Sequence, residues 1–136
     1  MKYKTLSNFN FRGKKVLLRS DLNSEIVGGK VVLGERIIES ARTVKELQGK
    51  GARVVILAHQ GQRGSDDFIS LKQHAKLLNK FVKVKFANEV IGKKTINEIE
   101  GLENGEALLL DNVRFVKDEF YLLKKKNVLV EKLTPL

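Results

Sequence analysis

Cysteine is absent from the 136 residues, which excludes a disulfide framework and any thiolate metal site and points to a reducing, intracellular setting. Long apolar runs are missing as well: Val54 to Ala58 and Ala107 to Leu110 fall far short of the roughly 18 residues that a membrane-spanning helix needs. The opening Met1-Lys2-Tyr3-Lys4-Thr5 leads into polar residues rather than an apolar signal core, so no export signal is expected and the cytoplasm is the expected compartment. No internal repeat, low-complexity tract or Pro/Gly/Ser linker divides the chain, and its length suits one domain or a piece of one. Neither Gly-x-Gly-x-x-Gly nor Gly-x-x-x-x-Gly-Lys-Ser/Thr occurs, so no nucleotide-binding loop is visible.

What is abundant is positive charge, with 26 Lys and Arg against 16 Asp and Glu and a formal net charge of +10. Such a chain concentrates anions near its surface. The basic residues are nevertheless spread through every segment, with one tight run at Lys124-Lys125-Lys126, and no aromatics interleave with them as a base-stacking surface requires. A Lys-rich surface with a local anion pocket is therefore expected ahead of a nucleic-acid-binding face.

The apolar pattern alternates between strand and helix. Lys14 to Ser20 reads as a buried strand, and Gly28-Gly29 as the turn of a small hairpin between Ile26-Val27 and Val31 to Leu33. Glu35 to Lys50 carries Ile37, Ile38, Ala41, Val44 and Leu47 at helical spacing and stops at Gly49 and Gly51. Arg53 to Ala58 is a strand apolar on both faces. Ser70 is placed to cap a helix through Leu71, Ala75, Leu77 and Leu78 with Phe81 at its end. Val82 to Phe86 alternates like a short strand, Lys93 to Ile99 suits a helix, and Ala107 to Leu110 is another buried strand. A repeated βαβ order with right-handed crossovers predicts an α/β fold, a three-layer, doubly wound, Rossmann-like parallel sheet.

Ligands of such sheets collect beyond the carboxyl ends of the strands. Three ends are polar: Arg19, Asp21 and Asn23 after the first, His59, Gln60 and Gly61 after the second, and Asp111, Asn112 and Arg114 after the last. Asp21 and Asn23 lie one residue apart on extended chain and share a side, where they can meet a hydroxyl-bearing ligand or simply cap their own loop. His59 stands at the rim, either facing a ligand or as a satisfied structural histidine. His74 falls within the second helix and reads as a solvent-side or packing residue. Arg36 opens the first long helix and Arg114 follows the last strand; both carry the planar fork suited to phosphate and carboxylate, and each taken singly reads equally as a surface arginine in a salt bridge.

In this order and spacing, Leu18-Arg19-Ser20-Asp21-Leu22-Asn23, Gly34-Glu35-Arg36-Ile37, Ala58-His59-Gln60-Gly61 and Leu110-Asp111-Asn112-Val113-Arg114-Phe115 resemble phosphoglycerate kinase. His-Gln-Gly followed by Asp66-Asp67-Phe68 is more similar to archaeal members, and the likeness runs from about Leu6 to Leu136. The resemblance implies binding of 3-phosphoglycerate or 1,3-bisphosphoglycerate, with Asp21 and Asn23 at the hydroxyl and carboxylate end and Arg36, His59 and Arg114 around the phosphate. It implies reversible phosphoryl transfer between 1,3-bisphosphoglycerate and ADP with magnesium, chemistry that rests on positioning and charge neutralisation rather than a protein nucleophile.

Two departures stand out. The family's His-x-Gly-Arg-Pro is here His59-Gln60-Gly61-Gln62-Arg63, which leaves Gln62 at the usual arginine position and Arg63 as a substitute with a different direction. Asn23-Ser24-Glu25 also lacks a common proline. By the resemblance, residues 1–136 correspond to the amino-terminal, substrate-binding portion, and Mg-ATP or ADP would be held by a carboxyl-terminal domain outside this chain. The expectation is a half-site that does not turn over alone, with an open sheet edge that invites oligomerisation. The competing readings are a stand-alone phospho-ligand-binding module and a basic nucleic-acid-binding module.

Overall fold

Four parallel strands, in the spatial order Lys15–Arg19, Arg53–Leu57, Ala107–Leu109 and Lys85–Phe86, form the centre of the computed structural model, which describes residues 5–116. The chain runs β1 (Lys15–Arg19), β2 (Ile26–Val27), β3 (Lys30–Val31), α1 (Glu35–Gly49), β4 (Arg53–Leu57), α2 (Lys72–Leu78), β5 (Lys85–Phe86), α3 (Lys93–Glu100) and β6 (Ala107–Leu109). The expected α/β architecture is present. β2 and β3 form the separate antiparallel hairpin, turned by Gly28 and Gly29 at φ 57° and 77°.

Handedness explains which face each helix takes. From β1 to β4 and from β4 to β5 the chain steps across the sheet in one direction, and from β5 to β6 it steps back. Right-handed crossovers then place α1 and α2 on one face and α3 on the other. The two apolar clusters agree: Val54, Ile56 and Leu109 pack with Ile37, Val44, Leu47 and Leu78, whereas Val55, Leu108 and Leu110 pack with Ile99 and Leu102.

Several local expectations shift. β1 is a half-buried outer strand rather than a buried one, because it pairs with β4 on one side only and α3 packs over β4 and β6; Leu17 is 50% exposed. The outer strands among the described residues are β1 and β5, since β6 inserts between β4 and β5. The Val82 to Phe86 run pairs only at Lys85 and Phe86, because Asn79 claims both backbone groups of Val84: Nδ2 donates to its carbonyl at 2.8 Å and Oδ1 accepts from its N–H at 3.1 Å. α2 ends at Leu78, before Phe81. No described helix is long and apolar enough to cross a membrane. The basic run at Lys124 to Lys126 lies outside the described residues.

Candidate functional site

Every parallel strand of the sheet points its carboxyl end to the same edge, and at that edge the loops after β1, β4 and β6 surround a cleft of about 550 Å³. Asp21 and Asn23 enter it from the first loop, His59, Gly61 and Gln62 from the second, and Arg114 from the third. Arg36 joins from the first turn of α1. Seven of the residues singled out from sequence therefore line one cleft, together with Ser65 and Asp67.

Asp21 and Asn23 both line the cleft, and Asp21 also caps its own loop. Asp21 Oδ1 accepts from Asn23 N at 3.2 Å, an Asx turn, while Oδ2 lies 3.3 Å from Arg36 Nε. Asn23 Oδ1 accepts from Gly61 N at 2.8 Å, and its backbone carbonyl accepts from Arg36 Nη1 at 2.9 Å. Both partners of the Asp21–Arg36 pair are more than half exposed, so the pair orients Arg36 more than it stabilises the fold.

Gly61 is the point where the walls meet. Its N–H is held by Asn23, its carbonyl accepts from Arg114 Nη1 at 3.1 Å, and its φ is +69°. A Cβ there would stand 2.5 Å from the backbone of Asp67, so only glycine lets the returning loop come this close. The same turn sends Arg63 elsewhere. Its guanidinium donates to the Phe115 carbonyl at 3.1 Å and lies 5.7 Å from the Phe68 ring centroid, outside the cleft lining, so the geometry does not make it a substitute for an arginine at position 62.

Beneath the cleft lies a buried polar layer that sequence reasoning did not assemble. Gln60 is fully buried; its Oε1 accepts from Ser24 N at 2.7 Å and lies 2.9 Å from His74 Nε2, and its Nε2 donates to Ser24 O at 3.0 Å. An amide oxygen only accepts, so His74 carries its proton on Nε2. His74 is thus a packing residue with no solvent exposure, and burial pushes its pKa from 6.5 down to about 4 against the opposing pull of Asp111. Asn112 Nδ2 donates to the carbonyls of Gln60 at 2.7 Å and Ile69 at 3.0 Å.

Asp111 faces inward too. Its Oδ1 accepts from Leu71 N at 2.9 Å and Asn112 N at 2.8 Å and lies 2.9 Å from Ser70 Oγ. Ser70, expected to cap α2, contributes a 3.2 Å bond from Lys72 N, while Asp111 from across the fold takes the Leu71 N–H. The signal for this layer was present in alternation: if His59 faces the cleft, Gln60 faces away from it.

Chemically, the cleft sets two guanidiniums and an imidazole against the carboxylates of Asp21 and Asp67, with Asn23 and Gln62 amides between them. Guanidiniums and imidazole are groups that pair with anions, and the carboxylates and amides between them are groups that pair with hydroxyls. Among the described residues no group of three or more His, Asp or Glu could hold a metal ion.

Comparison with known proteins points the same way. A family model described as phosphoglycerate kinase matches residues 6–136. A curated phosphoglycerate kinase of Sulfurisphaera tokodaii is 43% identical over 139 residues, covering 96% of this chain and 34% of that protein. One from Aeropyrum pernix is 44% identical over 119 residues, covering 85% of this chain and 29% of its own length. The chain thus spans about a third of these relatives. The crystal structure of phosphoglycerate kinase from Pyrococcus horikoshii superposes with a TM-score of 0.82 at 34% identity, covering 96% of this chain and 34% of that one.

Proposed function

The chain belongs to the phosphoglycerate kinase family, and from that premise we propose that the cleft at the carboxyl edge is a half-site for 3-phosphoglycerate or 1,3-bisphosphoglycerate. The reaction served is reversible phosphoryl transfer between 1,3-bisphosphoglycerate and ADP, in glycolysis or its reverse, in the cytoplasm. The observation that carries this reading is that Asp21, Arg36, His59 and Arg114, from three strand ends and a helix start, line one cleft.

Arg36, His59 and Arg114 neutralise and orient the phosphate. Asp21 accepts from the substrate hydroxyl. Asn23 has its oxygen committed to Gly61, so its ligand contact is a donation from Nδ2. Gln62 offers a neutral hydrogen bond. With no candidate nucleophile called for, these side chains work by placement and charge compensation. Among the described residues no cluster of carboxylates and histidines is placed to hold magnesium. Magnesium nucleotide is assigned to the portion of the relatives that this chain does not span.

Calorimetric titration of the 136-residue chain with 3-phosphoglycerate tests the proposal. Saturable binding is expected, and Arg36→Ala and Arg114→Ala are each expected to weaken it on the order of a hundredfold, the loss of a charged hydrogen-bonding partner. Equal, salt-sensitive affinity for any polyanion would instead favour the nucleic-acid reading. A coupled ATP assay of the chain alone is expected to show no turnover.

A further inference from the structure

We propose that Gln60 and His74 are a positioning pair, a buried latch that fixes the loop after β1 against the end of β4 and so sets the shape of the cleft. The inference deepens the reading above and rests on it for its consequence in binding. Neither residue lines the cleft. Gln60 reaches Ser24 through both ends of its amide, taking the N–H and supplying the carbonyl with a donor. That grip lies one residue from Asn23, whose side chain holds Gly61 N and whose carbonyl holds Arg36. Through its own carbonyl Gln60 is also tied to Asn112, two residues before Arg114. One buried residue therefore connects, through its side chain and its backbone carbonyl, the three loops that carry the cleft residues.

The Ser24 backbone sets which way round that amide sits, with its N–H on Gln60 Oε1 and its carbonyl on Gln60 Nε2. With the amide so oriented, the Nε2–H of His74 supplies a second donor to Gln60 Oε1 and ties α2 to it. The price of this histidine is visible on its other side: Nδ1 is buried with no hydrogen-bond partner among the described residues. An aliphatic side chain at position 74 would fill the same site without an orphaned nitrogen. The residue is costly as packing and useful as a donor.

His74→Leu separates the two roles, because it removes the orphaned nitrogen while Gln60 Oε1 keeps its bond from Ser24. Expected results are an unfolding midpoint no lower than that of the parent chain, faster amide exchange at Ser24 and Gly61, and 3-phosphoglycerate binding weaker by about fivefold, one buried hydrogen bond's worth. His74→Gln, which restores a donor toward Gln60, is expected to return both readouts most of the way. Gln60→Leu should show the larger loss, about tenfold or more. Parent-like exchange at Gly61 in His74→Leu overturns the latch, as does parent-like affinity in that variant. If the parent chain binds no 3-phosphoglycerate, the reading of the cleft fails, while the exchange measurement still decides the latch.

Discussion

At the amino end of the sheet the loops are joined mainly through backbone: Gly13 N donates to Gly51 O at 3.0 Å, Arg53 N to Lys14 O at 2.8 Å and Gly105 N to Ala52 O at 2.8 Å. A cleft of about 420 Å³ lies there as well, lined by Arg12, Gln48, Lys50 and Asn104. At the carboxyl end the joints are side chains reaching across loops, from Asn23, Gln60, Asp111, Asn112 and Arg114. The amino-end cleft is about three-quarters the size of the other. What separates them is that the loops of one are joined to each other through buried side chains, whereas in the other Arg12 and Lys50 stand among glycine turns joined through backbone.

Substitutions can break that contrast, and the largest effect is expected at Asp111. Asp111→Ala leaves the buried N–H groups of Leu71 and Asn112 without their acceptor and should cost roughly 4 kcal/mol in denaturant unfolding. Asn104→Ala, at the exposed amino end, should stay within about 0.5 kcal/mol. Next come the glycines. Gly61→Ala meets the Asp67 backbone at 2.5 Å and should lose about 3 kcal/mol, whereas Gly105→Ala, whose nearest contact is Gln48 O at 3.5 Å, should lose only about 1 kcal/mol for its φ of +85°.

Acid sharpens the contrast further. His74 has its pKa lowered from 6.5 to about 4, so the unfolded chain takes up the proton first and stability is lost as pH falls between those two values, not above 6.5. Between pH 7 and pH 5 the loss should be about 2 kcal/mol, and His74→Gln should abolish that part of the slope. The smallest effect is expected at Gln62→Arg, which adds a cation at the cleft rim and should tighten 3-phosphoglycerate binding by about threefold in calorimetry.

Much of this organisation is legible in the residues alone. Short apolar runs fix β1, β4 and β6, and the helical spacing from Ile37 to Leu47 fixes α1, because burial leaves a period in the sequence. The polar residues directly after those runs are the ones the cleft gathers. The second layer is less legible because its partners lie far apart in the chain: Gln60 with Ser24, Asp111 with Leu71. His74 looks like an ordinary helix residue until α2 is docked and its ring is enclosed. Arg63 misleads for a related reason, since one residue in a tight turn redirects a side chain toward Phe68 and Phe115.

The placement of β6 between β4 and β5 bears on how the chain assembles. β1 and β4 can pair as soon as α1 connects them, since they are neighbours. β4 and β5 are not; β5 pairs only with β6, so both strands lack that partner until Ala107–Leu109 bonds to both. A polypeptide emerging amino end first from the ribosome therefore exposes the second rim of β4 until residue 109 is made, and an open rim of that kind is where a strand from a second nascent copy can pair.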